Sequence, residues 1–162
     1  MYSNDVFSDV FPTHSPSLQG LRVLVVDNHA DSCVLMKQML QPYGVEVQAA
    51  ALAQQALEIF GQWQPDVIVS EIALPEEDGF ALIRRVRTFT QERGETVLAI
   101  AVTTYATEKM RQRAFRAGFD LWFTKPLRFD EFVAVLTCLA ICQQSSYAIA
   151  QRILGNTLEV AS

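Results

Sequence analysis

The segment Asp66-Val67-Ile68-Val69-Ser70-Glu71-Ile72-Ala73-Leu74-Pro75-Glu76-Glu77-Asp78-Gly79 decides the fold. Val67 to Ser70 are four apolar or small residues in a row, the pattern of a short strand buried on both faces of a parallel sheet. Glu71 follows where that strand would end. Pro75 stiffens the turn beyond it, and Asp78-Gly79 is expected to supply the positive φ that closes it. Ligands of open α/β sheets sit at the carboxyl ends of the strands, so Glu71 is the first candidate for chemistry.

Working outward, Leu21 to Val26 reads as another buried strand. It ends in Asp27-Asn28-His29-Ala30-Asp31, with Asp31 or Ser32 placed to cap the helix that follows. That helix carries Val34, Leu35, Met39 and Leu40 at helical spacing and stops between Pro42 and Gly44. Val45 to Ala49 reads as a second strand and Leu52 to Trp63 as a second helix. Beyond the quoted segment, Phe80 to Phe89 is a third helix and Gln91 to Glu95 a polar loop. Val97 to Val102 is a fourth strand ending in Thr103-Thr104, and Thr107 to Ala117 an arginine-bearing helix. Leu121 to Thr124 is a fifth strand, followed by Lys125-Pro126, and Phe129 to about Gln144 is the last helix.

Strands alternating with helices predict the α/β class: a doubly wound, five-stranded parallel sheet with helices on both faces. In the order 2-1-3-4-5 the switch point falls between the first and third strands. Asp27, Glu71, Thr103 and Lys125 then converge on one rim. The division expected is an arm (1–20), one domain (21–144) and a tail (145–162).

The chain has 162 residues, with 13 basic and 18 acidic side chains and a net charge of −5. That balance argues against a nucleic-acid surface and leaves protein partners or cations open. No apolar run is long enough to cross a bilayer, and residues 1–20 lack a basic stretch followed by an apolar core, so no signal peptide is expected. Cys33, Cys138 and Cys142 are odd in number and lack metal-ligand spacing, which reads as reduced packing residues in a cytoplasmic protein. The arm repeats Asp5-Val6-Phe7 as Asp9-Val10-Phe11; it is either a disordered arm or a docking segment, since four apolar residues in six are costly to leave in water.

These residues resemble the receiver domain of two-component response regulators, over Leu21 to about Leu139. Val25-Val26-Asp27-Asn28 resembles the family's first-strand acidic pair. Glu71-Ile72-Ala73-Leu74-Pro75 with Asp78-Gly79 resembles the phosphoacceptor strand and its loop. Thr103 matches the hydroxyl switch residue, Trp122 the rotating aromatic, and Lys125-Pro126 the lysine and the cis-proline. The resemblance implies a flavodoxin-like fold and a phosphorelay signalling module rather than an enzyme. Its partner would be a histidine kinase or a downstream effector.

Two positions depart from the family pattern. Glu71 stands where the family has aspartate, and Asn28 replaces the second acid. Receivers hold Mg²⁺ through those acids, and Mg²⁺ demands near-octahedral oxygen geometry. Asp27, Glu71 and Ala73 are the implied ligands here, for a weak Mg²⁺ site at most. The extra methylene of Glu71 aims its carboxylate toward where a phosphoryl group on aspartate would lie, within reach of Lys125 and Thr103. The readings open at this point are a partly active-like receiver with Glu71 as phosphomimetic, a plain Glu71–Lys125 ion pair, an engineered phosphomimetic, and a Glu71 that accepts and loses phosphate. A flavodoxin-like cofactor binder competes from outside the family, but the loop after the first strand lacks phosphate-cradling glycines. His29 as a phosphoryl acceptor lacks its helical context, and Glu77 and Asp78 read as surface and turn residues.

From Phe132 to Cys142 only Thr137 is polar. Phe129, Phe132, Val133, Leu136 and Ala140 provide the stripe a sheet can cover, leaving Val135, Leu139 and Cys142 on a second apolar face. A homodimer, or a terminal segment folded back, is expected there, and the resemblance points to the same face.

Overall fold

The computed structural model describes residues 18–104, 107–138, 140 and 141. The elements run β1 (Arg22–Val26), α1 (Ala30–Leu40), a 3-10 turn (Gln41–Tyr43), β2 (Glu46–Ala50), α2 (Ala53–Trp63), β3 (Val67–Ser70), α3 (Gly79–Arg93), β4 (Leu98–Thr103), α4 (Glu108–Ala117) and β5 (Leu121–Thr124). A last helix, α5, runs from 129 through 138 and is helical again at 140 and 141. The strands form one parallel sheet in the order β2-β1-β3-β4-β5, as the sequence predicts.

Side chains alternate across the sheet and build a core on each side of it. On one side Val23, Val25, Val67, Val69, Ile100 and Val102 pack against Met36 and Leu40 of α1 and Phe132, Val133 and Leu136 of α5. On the other, Leu24, Val26, Ile68, Ala99 and Ala101 pack against α2, α3 and α4. All four residues of β3 are buried, as a central parallel strand requires.

Several local expectations are corrected. The N-cap of α1 is His29, with no side-chain cap, not Asp31 or Ser32. Its buried face is Met36 and Leu40, while Val34, Leu35 and Met39 are 52%, 48% and 39% exposed. A helix with apolar residues on two faces can bury only one of them against the sheet, here that of Met36 and Leu40. The third helix runs on through Gln91 to Arg93 and ends at Gly94, whose positive φ lets its amide reach the Thr90 and Gln91 carbonyls. Thr103 belongs to β4 itself. Cys138 is exposed rather than packed. The arm up to residue 17, Leu139 and residues from Cys142 onward, with the expected tail boundary, lie outside the described residues.

The loop after β3 closes by another device than the one expected. The positive φ belongs to Glu76 (68°), and Gly79 is the first residue of α3. Asp78 is its N-cap, accepting a hydrogen bond from the Ala81 amide at 2.9 Å. A Cβ on Gly79 would lie 2.6 Å from the Glu71 carbonyl oxygen and 2.9 Å from Ile72 Cα. Glycine is therefore required here for close approach, because both atoms it would meet are backbone. Gly79→Ala is expected to destabilise the fold by about 1–3 kcal/mol, the usual range for overpacking. Urea denaturation measures it, and an unchanged midpoint would mean the loop has slack.

Candidate functional site

The strand register assembles the site. β1 and β3 pair from Val23 opposite Val67 to Val26 opposite Ser70. The next residue on each is a carboxylate, Asp27 and Glu71, and both are 5% exposed. The β4–β5 pairing ends with Thr103 opposite Thr124, and the Lys125 amide donates to the Thr103 carbonyl at 2.9 Å. The Lys125–Pro126 peptide is cis. The sheet thus places two acids, a hydroxyl and a lysine on one rim.

Lys125 Nζ is the centre of that group. It donates to Asp27 Oδ2 at 2.7 Å and lies 3.3 Å from Glu71 Oε2. Thr103 Oγ1 donates to Glu71 Oε1 at 3.0 Å, and the Ala73 amide donates to the same oxygen at 3.3 Å. Glu71 Oε2 is buried and accepts no hydrogen bond, so the Lys125 charge is what compensates it. Desolvation would otherwise penalise a carboxylate at this depth.

Asp27 has a further set of partners that sequence reasoning missed. Its Oδ1 accepts from the His29 amide at 2.9 Å and lies 3.2 Å from His29 Nδ1. The spacing of an acid two residues before a helix N-cap carries that signal, because a side-chain oxygen there can reach the second amide along. The Cys33 thiol donates to the Asp27 carbonyl at 3.4 Å.

The other candidates separate. Thr103 is fully buried. Trp122 is half-buried and packs on the α2–α4 side of the sheet. Asn28 is exposed, near Cys33 and Ala49 to Ala51 around a shallow pocket. Glu77 pairs with Arg85 at 2.9 Å, away from the rim. Val135 is half-buried; Leu139 and Cys142 are not among the described residues. Beside the rim, a mostly apolar cleft of about 230 Å³ lies between α1 and the segment from Pro126 to Phe129, with Asp27, Glu71 and Lys125 among its lining residues. Among the described residues no group of three or more His, Cys, Asp or Glu is arranged to hold a metal ion. No described helix is long and apolar enough to cross a membrane.

Comparison with known proteins agrees with this geometry. The chain matches the response regulator receiver domain family over residues 23–137, and it belongs to that family, whose members are the receiver domains of two-component and phosphorelay systems. It is 41% identical over 126 residues to an "Uncharacterized 14.6 kDa protein in sodA1 3'region" of Leptolyngbya boryana, covering 76% of this chain and 95% of that one. It is 29% identical over 120 residues to the sensor histidine kinase RcsC of Escherichia coli, covering 74% of this chain and 12% of that kinase. Among solved structures, the CheY-like receiver of Methanospirillum hungatei superposes with a TM-score of 0.71 at 23% identity, over 79% of this chain and 99% of that one. The receiver domain of Saccharomyces cerevisiae Ssk1, crystallised with the histidine phosphotransfer protein Ypd1, gives 0.72 at 19% identity, over 78% and 92%. At those identities the structures speak for the fold.

Burial alone would raise the Asp27 carboxyl, but the Lys125 and His29 hydrogen bonds and the Lys125 charge outweigh it and hold the group below the usual aspartate range. Burial likewise works against the Lys125 ammonium, and the Asp27 hydrogen bond with the Asp27 and Glu71 charges overcomes it and holds the lysine above its usual range. A depressed carboxylate stabilises the fold above its unfolded pKa and loses that contribution as pH falls through its folded pKa. A raised lysine contributes below its unfolded pKa and loses the contribution as pH rises through its folded one. The pair's contribution is therefore constant around neutrality. Asp27→Asn is expected to lower stability there, with the gap to the parent protein closing in acid. Urea denaturation across a pH series checks this; a gap that persists unchanged in acid would contradict it.

Proposed function

We propose that this chain is a receiver that signals through protein contacts, with Glu71 at the phosphoacceptor position as a partial mimic of phosphorylated aspartate. The observation behind this reading is the engagement of the Glu71 carboxylate by Thr103 at 3.0 Å and by Lys125 at 3.3 Å. Those are the two residues that, by the family resemblance, would meet a phosphoryl group. Mimicry is partial because a carboxylate offers one charge and two oxygens, against up to two charges and three acceptor oxygens. In this reading the protein works by contact, not catalysis, in the cytoplasm. The partner is a protein: a histidine kinase, a phosphotransfer protein or a downstream effector. Similarity to the histidine kinase RcsC supports that class.

A resident Mg²⁺ does not fit the donor set well. The Lys125 ammonium bridges the Asp27 and Glu71 carboxylates, so a divalent ion between them must displace it. Asn28 adds no charge. Incubation with acetyl phosphate and Mg²⁺ is expected to leave the intact mass unchanged. A gain of one phosphoryl group that disappears in Glu71→Gln would favour a phosphate-accepting Glu71 instead. Calorimetry in the same buffer is expected to show weak Mg²⁺ binding, and micromolar affinity would contradict the bridging role of Lys125.

The proposal extends to a homodimer through α5. Val135 is half-buried, and the sequence places Leu139 and Cys142 on the same side as Val135. The double variant Val135→Glu with Leu139→Glu is expected to run as a monomer where the parent runs as a dimer. Light scattering on a sizing column checks it, and identical masses would remove this interface.

A further inference from the structure

The exposed apolar face of α1 is the feature that neither the fold nor the site explains. Leu35 and Met39, one helical turn apart, are 48% and 39% exposed. Leu35 and Met36 continue into the apolar cleft, whose far wall is Pro126, Leu127 and Phe129. An open apolar surface of this kind is normally covered by something.

The same chain carries an unassigned apolar segment. Val6, Phe7, Val10 and Phe11 lie in the arm that precedes Leu18. The described structure starts at Leu18, which is fully buried and belongs to the core cluster that contains Met36 and Leu40 of α1. Gln19 lies against Gly44, and the Gly20 amide donates to the Gly44 carbonyl. The arm therefore joins the domain at the foot of α1, on the helix's own side of the sheet. The eleven residues of α1 span about 16 Å. Phe11, seven residues before Leu18, reaches up to about 23 Å from it, and Phe7 up to about 36 Å. Both rings can meet the α1 face and the cleft with chain to spare. A tethered segment also meets its site at an effective concentration on the order of millimolar, which an untethered partner seldom matches.

We infer that the arm folds back in cis, with Phe7 and Phe11 seated against Leu35, Met39 and the cleft that opens beside Lys125. The inference stands whether or not Glu71 mimics a phosphorylated aspartate, since it rests on the apolar wall of the cleft and not on the acids.

Methyl NMR tests it, because the chain has four methionines. Met36 and Met39 sit on α1, and Met110 packs on the opposite side of the sheet as an internal control. Deleting residues 2–16 is expected to shift the Met39 and Met36 methyl resonances and leave Met110 unmoved. Phe7→Ser with Phe11→Ser should shift the same two signals, and a peptide of residues 3–14 added to the deleted protein should return them toward the parent positions. An unmoved Met110 signal reports that both forms keep the folded domain, so misfolding does not imitate the result. Superimposable spectra of the parent and the deleted protein would overturn the inference. Parent Met39 and Met36 shifts that move toward those of the deleted protein on dilution would overturn it too, because the arm would then sit on a second copy.

Discussion

The ion pair that bridges the rim is the constraint on which the rest of the site depends. Two carboxylates, each 5% exposed, end neighbouring strands. Left alone they would repel each other and resist burial. Lys125 meets both, at 2.7 Å and 3.3 Å, and it does so from β5, at the far side of β4 from β3. One side chain thereby ties the first, third and fifth strands at their carboxyl ends. Removing one member of such a group leaves a buried charge uncompensated, which is more damaging than the net worth of the intact group suggests.

The backbone around Glu71 serves the same end. The Glu71 amide donates to the Val26 carbonyl at 2.8 Å, continuing the β1–β3 ladder one residue past the strand. The Gly79 amide donates to the Ile72 carbonyl at 2.8 Å, and its missing side chain lets α3 start against the Glu71 backbone. Thr103, fully buried, takes one oxygen of the carboxylate. Glu71 is thus held from its backbone on one side and its side chain on the other. A fixed carboxylate, rather than one that appears on modification, is what the contact-based reading of this receiver requires.

Much of this was legible in the sequence. Five short apolar runs separated by helical patterns lead to the parallel sheet, because a strand buried on both faces has few other compositions. Asp27, Glu71, Thr103 and Lys125 are each the last or next residue of a strand, so the topology alone gathers them. Less legible was anything decided by competition between faces. Val34, Leu35, Met39 and Leu40 all fall at helical spacing, yet the sheet covers Met36 and Leu40 and leaves the other three exposed. The positive φ fell on Glu76, and Gly79 is needed for space rather than for its φ, which local turn preferences do not encode. The preference of Lys125 for Asp27 at 2.7 Å over Glu71 at 3.3 Å is a matter of distance that no residue pattern reports.

Lys125 acts as the shared counter-charge of Asp27 and Glu71. The direct measurement is the titration of the Lys125 side chain, followed by NMR of its ε-methylene carbon in the full-length protein. The expected pKa lies above that of an ordinary lysine, falling when Asp27 is changed to Asn and falling less when Glu71 is changed to Gln. A pKa at or below the ordinary value in the parent protein, or one indifferent to both substitutions, would contradict it.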